Sequence, residues 1–134
     1  MLTYAISAIR DDAQGSHAGV RQASLVLDTS LAGRPDAFNP VELLLAALAA
    51  CMIKGVERAA PMLHFAFSGV RVELHAERQD APPKLITISY VLTIDTDETD
   101  RRLELLHTNV RKYGTISNTL ADAVALTGTI VRGT

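Results

Sequence analysis

The stretch from Leu43 to Ile53 constrains the fold more than any other part of the chain. It lies within FNPVELLLAALAACMIKGVERAA, residues 38–60, and its 11 residues are apolar. A membrane-spanning helix needs about 20 such residues, so this stretch predicts a buried helix and no membrane span. Because a helix that is apolar on every face must be covered on every face, we also expect an oligomer.

The ends of this helix carry their own signals. Asn39 has a side chain that can cap a helix, and Pro40 suits the first helical position. Pro61 lacks the N–H group that would continue the helix. The sequence therefore predicts a helix from about Pro40 to Arg58, ended by Pro61.

Length and composition indicate a single domain, residues 1–134, with an ordinary apolar core. Thirteen basic and 15 acidic residues give a net charge of -2, which does not favour nucleic acid as a partner. One cysteine cannot form an internal disulfide, and the start MLTYAISAIRDD does not resemble a secretory signal. We therefore expect a cytoplasmic protein.

The rest of the chain predicts strands and helices in the order β-β-α-β-β-α-α-β, which favours an α+β fold. A hairpin is expected at the start, with strands 2–9 and 20–28 joined by a polar turn, and a loop follows at 29–40. The later elements are strands 67–78 and 84–97, a helix within 97–114, a short helix within 115–124 and a last strand at 125–134.

Residue periodicity predicts which faces of these elements are buried. On the first long strand, Val70, Val72 and Leu74 alternate with polar residues. The residues expected to face the core on the second long strand are Ile86, Ile88, Tyr90, Leu92 and Ile94. Those expected on the following helix, which ends at Gly114, are Leu103, Leu106, Val110 and Tyr113.

Cys51, the only cysteine, lies in the middle of the apolar helix and allows two interpretations. It shares a stripe with Leu44, Leu48 and Gly55, where it could be a small core side chain. A reactive thiol would need a cation or a helix start to lower its pKa. Because the helix start is too far away, the cation would have to come from another segment or another subunit.

Two motifs resemble the OsmC/Ohr family of osmotically induced and organic hydroperoxide resistance proteins. FNPVELLLAALAAC is similar to the family's Asn-Pro-Glu-x-Leu-x-x-x-Ala-x-x-Ala-Cys helix, and YGTISNTLADAV is similar to its Cys-Pro-x-Ser-x-x-Leu motif. The resemblance implies an intertwined α+β homodimer, with antiparallel sheets wrapped around long central helices. It also implies reduction of organic hydroperoxides by a cysteine thiolate, a role in the oxidative stress response, and no cofactor.

The sequence departs from both motifs. Gly114 stands at the position of the family's resolving cysteine and Thr115 at that of the following proline, so the oxidised thiol would need an external thiol reductant. Val41 stands at the position of the family's carboxylate, which orients the catalytic arginine. Glu42 is the next acidic residue, but on an ideal helix it lies about 180° and roughly 13 Å from Cys51.

By this resemblance, the candidate catalytic residues are Cys51, Arg10 and Glu42. Arg10 matches the family's arginine in placement, with Arg21 as the second choice. Glu42 could act only through a bridging arginine or across a dimer, and could otherwise be a first-turn carboxylate. The four histidines show no metal-binding spacing and predict surface imidazoles, and Ser117 and Asn118 are expected to cap the short helix.

Two functions remain open from the sequence. In the first, the protein is a one-cysteine peroxidase, with Cys51 as nucleophile and Arg10 as its activator. In the second, the dimer binds a small hydrophobic ligand without catalysis, and Cys51 lines the pocket. The state of the thiol distinguishes the two, because only the peroxidase needs a lowered pKa at Cys51.

Overall fold

The computed structural model describes residues 1–133 and contains two three-stranded sheets and three helices. The chain forms two compact units, of which the first ends at Ala46 and the second begins at Ala47. The mixed architecture confirms the α+β class, whereas the single-domain assignment remains a prediction. The elements are β1 Ser7–Asp12, β2 Gly15–Val20, β3 Ala23–Leu27, α1 Pro40–Leu63, β4 Gly69–Asp80, β5 Pro83–Asp95, α2 Asp100–Tyr113, α3 Thr115–Ala121 and β6 Ala125–Arg132.

The first unit contains an antiparallel meander, β1-β2-β3, instead of the predicted hairpin. The segment predicted as a turn contains β2, whose sequence GSHAGV is poor in strand-forming residues. Pairing on both edges compensates for this weak propensity. Arg21, expected within a strand, lies instead in the turn between β2 and β3 with a φ of 53°.

The loop between β3 and α1 is organised around Asp28, which is only 7% exposed. Its carboxylate accepts hydrogen bonds from the backbone N–H and hydroxyl of Ser30 and from the backbone N–H of Arg34. The bond from the Ser30 hydroxyl is the main cause that lowers the pKa of Asp28. Gly33, with a φ of 85°, takes the left-handed conformation that the loop needs.

Helix α1 begins as predicted but extends one turn further. Pro61 lies inside its last turn, where the missing N–H removes only one hydrogen bond. The helix ends at Leu63, and the next residue, His64, has a φ of 51°. The N–H of His64 bonds to the carbonyl of Pro61 at 3.3 Å, and that of Phe65 to the carbonyl of Ala60 at 2.9 Å. This pair of bonds is a Schellman motif, so a left-handed residue ends the helix and the proline does not.

The second unit contains a mixed sheet in the order β4-β5-β6. Strands β4 and β5 are antiparallel, but β5 and β6 are parallel because α2 and α3 return the chain to the starting edge. The sheet is therefore mixed, whereas antiparallel sheets had been expected. Ile88, Tyr90, Leu92 and Ile94 face the core as predicted, whereas Ile86, nearer the start of β5, is 42% exposed.

Helix α2 is capped by Thr99, whose hydroxyl accepts a hydrogen bond from the N–H of Arg102. Its predicted core residues Leu103, Leu106 and Val110 are buried, but Tyr113 is 55% exposed. Tyr113 is the last residue of α2, and the chain enters α3 directly after Gly114. None of the helices in residues 1–133 is both long enough and apolar enough to cross a membrane.

Candidate functional site

Cys51 lies in the middle of α1 and is a free, half-buried cysteine. Leu48, one turn before it, is fully buried, and Gly55, one turn after it, is also buried. A Cβ atom at Gly55 would lie 3.3 Å from Cγ1 of Val110 in α2. The missing side chain therefore lets Val110 of α2 pack against the stripe that carries Cys51.

The second unit offers two cations on the part of α1 that follows Cys51, Lys54 and Arg58, and both are exposed. Arg58 is already engaged, because its guanidinium donates to Oδ1 of Asn109 at 3.0 Å and lies 5.7 Å from the centre of the Tyr113 ring. Within the described second unit, no hydrogen bond reaches the sulfur of Cys51. The second unit by itself therefore does not supply an activating contact.

Arg10 lies in β1 of the first unit, paired in register with Ser16 of β2. It is exposed and lines an open depression of about 440 Å³ together with Asp12, Ala13, Ser16, Thr29 and Leu31. The hydroxyls of Ser16 and Thr29 bond to each other at 2.6 Å. In the part of the chain that the structure describes, no carboxylate pairs with Arg10, so its charge is available to a ligand.

Glu42 lies in the first turn of α1 and forms a capping box with Asn39. Its N–H donates to Oδ1 of Asn39 at 2.8 Å, and its Oε1 accepts from the N–H of Asn39 at 3.0 Å. Its Oε2 has no hydrogen-bond partner within residues 1–133. No ion pair joins Glu42 to Arg10 in the described first unit.

The second motif lies at the junction of α2 and α3, where neighbouring atoms pack closely around Gly114. Gly114 is buried, and a Cβ atom there would lie 2.9 Å from the carbonyl oxygen of Val110 and 3.1 Å from Oγ of Ser117. The Ser117 hydroxyl is buried without a hydrogen-bond partner among the described residues. Neither Ser117 nor Asn118 caps α3, because both lie inside it and Gly114 is its N-cap. The capping prediction was therefore wrong.

A polar cluster in the second unit was not predicted from the sequence. His107 of α2 has a side chain only 15% exposed, so it is not the surface imidazole that was expected. Its Nε2 lies 2.5 Å from the hydroxyl of Tyr90, which also accepts a hydrogen bond from Arg111 at 3.3 Å. Burial is the main cause that lowers the pKa of His107, while Glu104 acts in the opposite direction.

This cluster left only a weak signal in the sequence. His107 and Arg111 are four residues apart on α2 and therefore share a face, and Tyr90 belongs to the core-facing series of β5. Gly128 in β6 leaves the space that the Tyr90 ring occupies, because a Cβ atom there would collide with the ring. Within the described chain, no group of three or more His, Cys, Asp or Glu side chains could hold a metal ion.

Comparisons with known proteins agree on one family. The protein-family model described as OsmC-like protein matches residues 33–128. The OsmC like protein from Mycoplasma pneumoniae has a TM-score of 0.89 at 20% identity, with 99% of each chain covered. The organic hydroperoxide resistance protein OsmC from Legionella pneumophila has a TM-score of 0.77 at 20% identity, with 97% of this chain and 98% of that chain covered. No curated protein sequence matches the chain.

A third solved structure, the organic hydroperoxide resistance protein from Elizabethkingia anophelis with thiocyanate bound from the crystallisation solution, has a TM-score of 0.76 at 15% identity. The match covers 98% of this chain and 99% of that chain. At these identities the structures establish the fold, and the family model establishes the relationship. The chain therefore belongs to the OsmC-like family.

Proposed function

We propose that the protein reduces organic hydroperoxides by a one-cysteine mechanism and contributes to the oxidative stress response. The observation that carries the proposal is Cys51 itself, a free and half-buried thiol at the cysteine position of an OsmC-like chain. The Legionella and Elizabethkingia proteins are named organic hydroperoxide resistance proteins, and this supports organic hydroperoxides as the proposed substrate class. A half-buried sulfur suits this class, because the alkyl group of the substrate needs an apolar wall.

The reaction proceeds in two stages. The Cys51 thiolate attacks the distal oxygen of the hydroperoxide, the O–O bond breaks, and the alkoxide takes a proton and leaves as an alcohol. Cys51 is then a sulfenic acid. An external thiol attacks the sulfur and releases water, and a second thiol reduces the mixed disulfide to restore Cys51. The external reductant is required because the chain has one cysteine.

Arg10 is the proposed activator. Its permanent positive charge favours the thiolate over the thiol and attracts the developing negative charge on the peroxide oxygens. The support from the first unit is that Arg10 is exposed, lines an open depression and pairs with no carboxylate among the described residues. Glu42 is the proposed orienting carboxylate, acting through Oε2, the oxygen that the capping box does not use.

We further propose that the working form is a homodimer located in the cytoplasm. Several large apolar side chains of the first unit are exposed, among them Ile9, Leu25, Val26 and Phe38, and a second copy would cover them. A cytoplasmic location would supply the reducing thiols that a single-cysteine mechanism consumes.

The second candidate function is binding of a small hydrophobic ligand without catalysis. Two observations favour it, namely Gly114 in place of a resolving cysteine and the absence of a cation bonded to Cys51 within the described second unit. In this function Cys51 lines the pocket as a small apolar side chain.

Steady-state peroxide consumption separates the two functions. The protein would be supplied with an alkyl hydroperoxide and either a monothiol or a dithiol, with Cys51→Ser as the control. The peroxidase function predicts turnover that depends on the added thiol and disappears in Cys51→Ser. The ligand-binding function predicts equal background rates for both proteins.

A further inference from the structure

The depression beside α2 in the second unit is lined by four side chains that can all donate hydrogen bonds: His107, Thr108, Arg111 and Lys112. It is open to solvent and has a volume of about 520 Å³. Two of these residues carry a permanent positive charge. None of the proposed catalytic residues Cys51, Arg10 and Glu42 lines it.

Arg111 is the central residue of this depression. It is half-buried, and both of its hydrogen bonds go to neutral acceptors, the Tyr90 hydroxyl at 3.3 Å and the carbonyl of Leu126 at 3.4 Å. Both bonds are long for a charged donor. No carboxylate pairs with Arg111 in the described residues. A half-buried guanidinium is thus held in place by neutral groups, with further donors free.

His107 lies beside these donors. Its Nε2 shares a hydrogen bond with the Tyr90 hydroxyl, and the direction of that bond depends on the imidazole tautomer, while the Tyr90 oxygen accepts from Arg111. The carboxylate of Glu104 lies 4.0 Å from Nδ1, beyond hydrogen-bond distance. In the protonated imidazole both ring nitrogens donate, so Nδ1 can then donate to an anion.

The position of the cluster on the helix does not account for this arrangement. Lys112 and Arg111 lie in the last turn of α2, where cations interact favourably with the helix dipole. That effect explains a positive charge in solvent, but it does not explain a guanidinium inserted between Tyr90 and β6. Gly128 of β6 makes room for the Tyr90 ring that holds it.

We propose that this depression binds a small oxyanion, a phosphate or carboxylate group, through the Arg111 guanidinium, the Lys112 ammonium and the Thr108 hydroxyl, with Nδ1 of His107 donating as well when the imidazole is protonated. An oxyanion would satisfy the donors of Arg111 and Lys112, which pair with no carboxylate within the described chain, and would neutralise the excess positive charge. The charged or titratable groups that face His107 are Glu104, Arg111 and Lys112 on α2 and Tyr90 on β5. The site does not depend on the proposed peroxidase activity.

The test is a titration of the folded protein with inorganic phosphate and, separately, with acetate, at constant ionic strength. The imidazole resonances of His107 report binding, after assignment with His107→Gln. Saturable shifts are expected with at least one of the two anions. The tighter anion identifies the preferred group, and saturable binding of either supports the proposal. Shifts that stay linear with both anions would overturn it.

Variants test where the anion binds. Arg111→Gln should weaken binding by about tenfold or more, since a charge-assisted hydrogen bond is lost. Arg101→Gln removes the same charge from an exposed position of α2 outside the depression and should change affinity by less than about twofold. Equal losses in the two variants would assign binding to net charge alone and overturn the site.

Lys112→Gln provides a second variant in case Arg111→Gln fails to fold. Lys112 is exposed, so its substitution leaves the packing of Tyr90 and His107 unchanged. It should weaken binding by about threefold, more than Arg101→Gln. The anion should also raise the pKa of His107 by linkage, a readout that a purely structural role for Arg111 would not produce.

Discussion

Asn39 and Glu42 close the start of α1 by exchanging two hydrogen bonds, one between the Glu42 N–H and Asn39 Oδ1 at 2.8 Å and one between the Asn39 N–H and Glu42 Oε1 at 3.0 Å. This structural use of Glu42 occupies one carboxylate oxygen and leaves the other free. The capping and catalytic roles of Glu42 can therefore be separated by substitutions that keep one and remove the other.

Glu42→Gln is expected to keep the capping box, because the amide oxygen can accept the same hydrogen bond, and to retain the melting temperature of the wild type. It should lower peroxide turnover by about tenfold if the carboxylate orients an arginine. Glu42→Ala should in addition lower the free energy of unfolding by about 1 kcal/mol. Thermal unfolding and turnover of both variants give the answer. Full activity in Glu42→Gln would leave Glu42 with the capping role alone.

Gly128 is predicted to be required for the packing of Tyr90. Gly128→Ala places a methyl group into the Tyr90 ring, so the ring or the strand must move, and the free energy of unfolding should fall by about 1–3 kcal/mol. Gly19→Ala is the matched control in β2, because its nearest neighbour to a new Cβ is a carbonyl oxygen at 3.8 Å. Chemical denaturation should find Gly19→Ala within about 0.5 kcal/mol of the wild type. Equal stability of the two variants would contradict the packing.

His107 predicts a pH dependence of stability. Burial lowers the pKa of His107, so below its ordinary value of about 6.5 the unfolded chain binds a proton that the folded chain does not. The free energy of unfolding should therefore decrease as the pH falls from about 7 towards 5. His107→Gln should reduce this slope, and His75→Gln, at an exposed position of β4, should not. Identical slopes in the wild type and His107→Gln would show that His107 is not the cause.

Ser117 and Gly114 give a prediction about the second motif. The Ser117 hydroxyl is buried without a partner in the described chain, so Ser117→Ala should keep or slightly raise the melting temperature. Gly114→Ala should lower the free energy of unfolding by about 1 kcal/mol, because the new methyl group approaches Val110 and Ser117. In the double variant the cost of Gly114→Ala should be smaller. Strictly additive effects would contradict the contact between the two positions.

The sequence predicted those features that depend on local chemistry. The cap at Asn39, the start of α1 at Pro40 and the buried face of α2 follow from propensity and periodicity. Strand β2 was missed because its glycines, serine and alanine carry no strand signal, and it is held by pairing with both neighbouring strands.

The candidate site was only partly accessible from the sequence. Cys51 and its stripe could be located, but the element that approaches at Gly55, helix α2, was identified only by the structure. The burial of His107 could not be predicted, because it depends on the approach of Tyr90 from another element and on the space that Gly128 leaves. A tertiary contact of this kind has no periodicity along the chain.

A single-turnover oxidation of the reduced protein, followed by intact mass and by a sulfenic acid trap, tests the peroxidase function most directly. Wild type and Cys51→Ser would each be mixed with one equivalent of an alkyl hydroperoxide or of hydrogen peroxide. We expect rapid addition of one oxygen at Cys51, faster with the alkyl hydroperoxide, and reversal by added thiol. A folded protein whose Cys51 stays reduced with both peroxides would exclude the peroxidase function and favour the ligand-binding function.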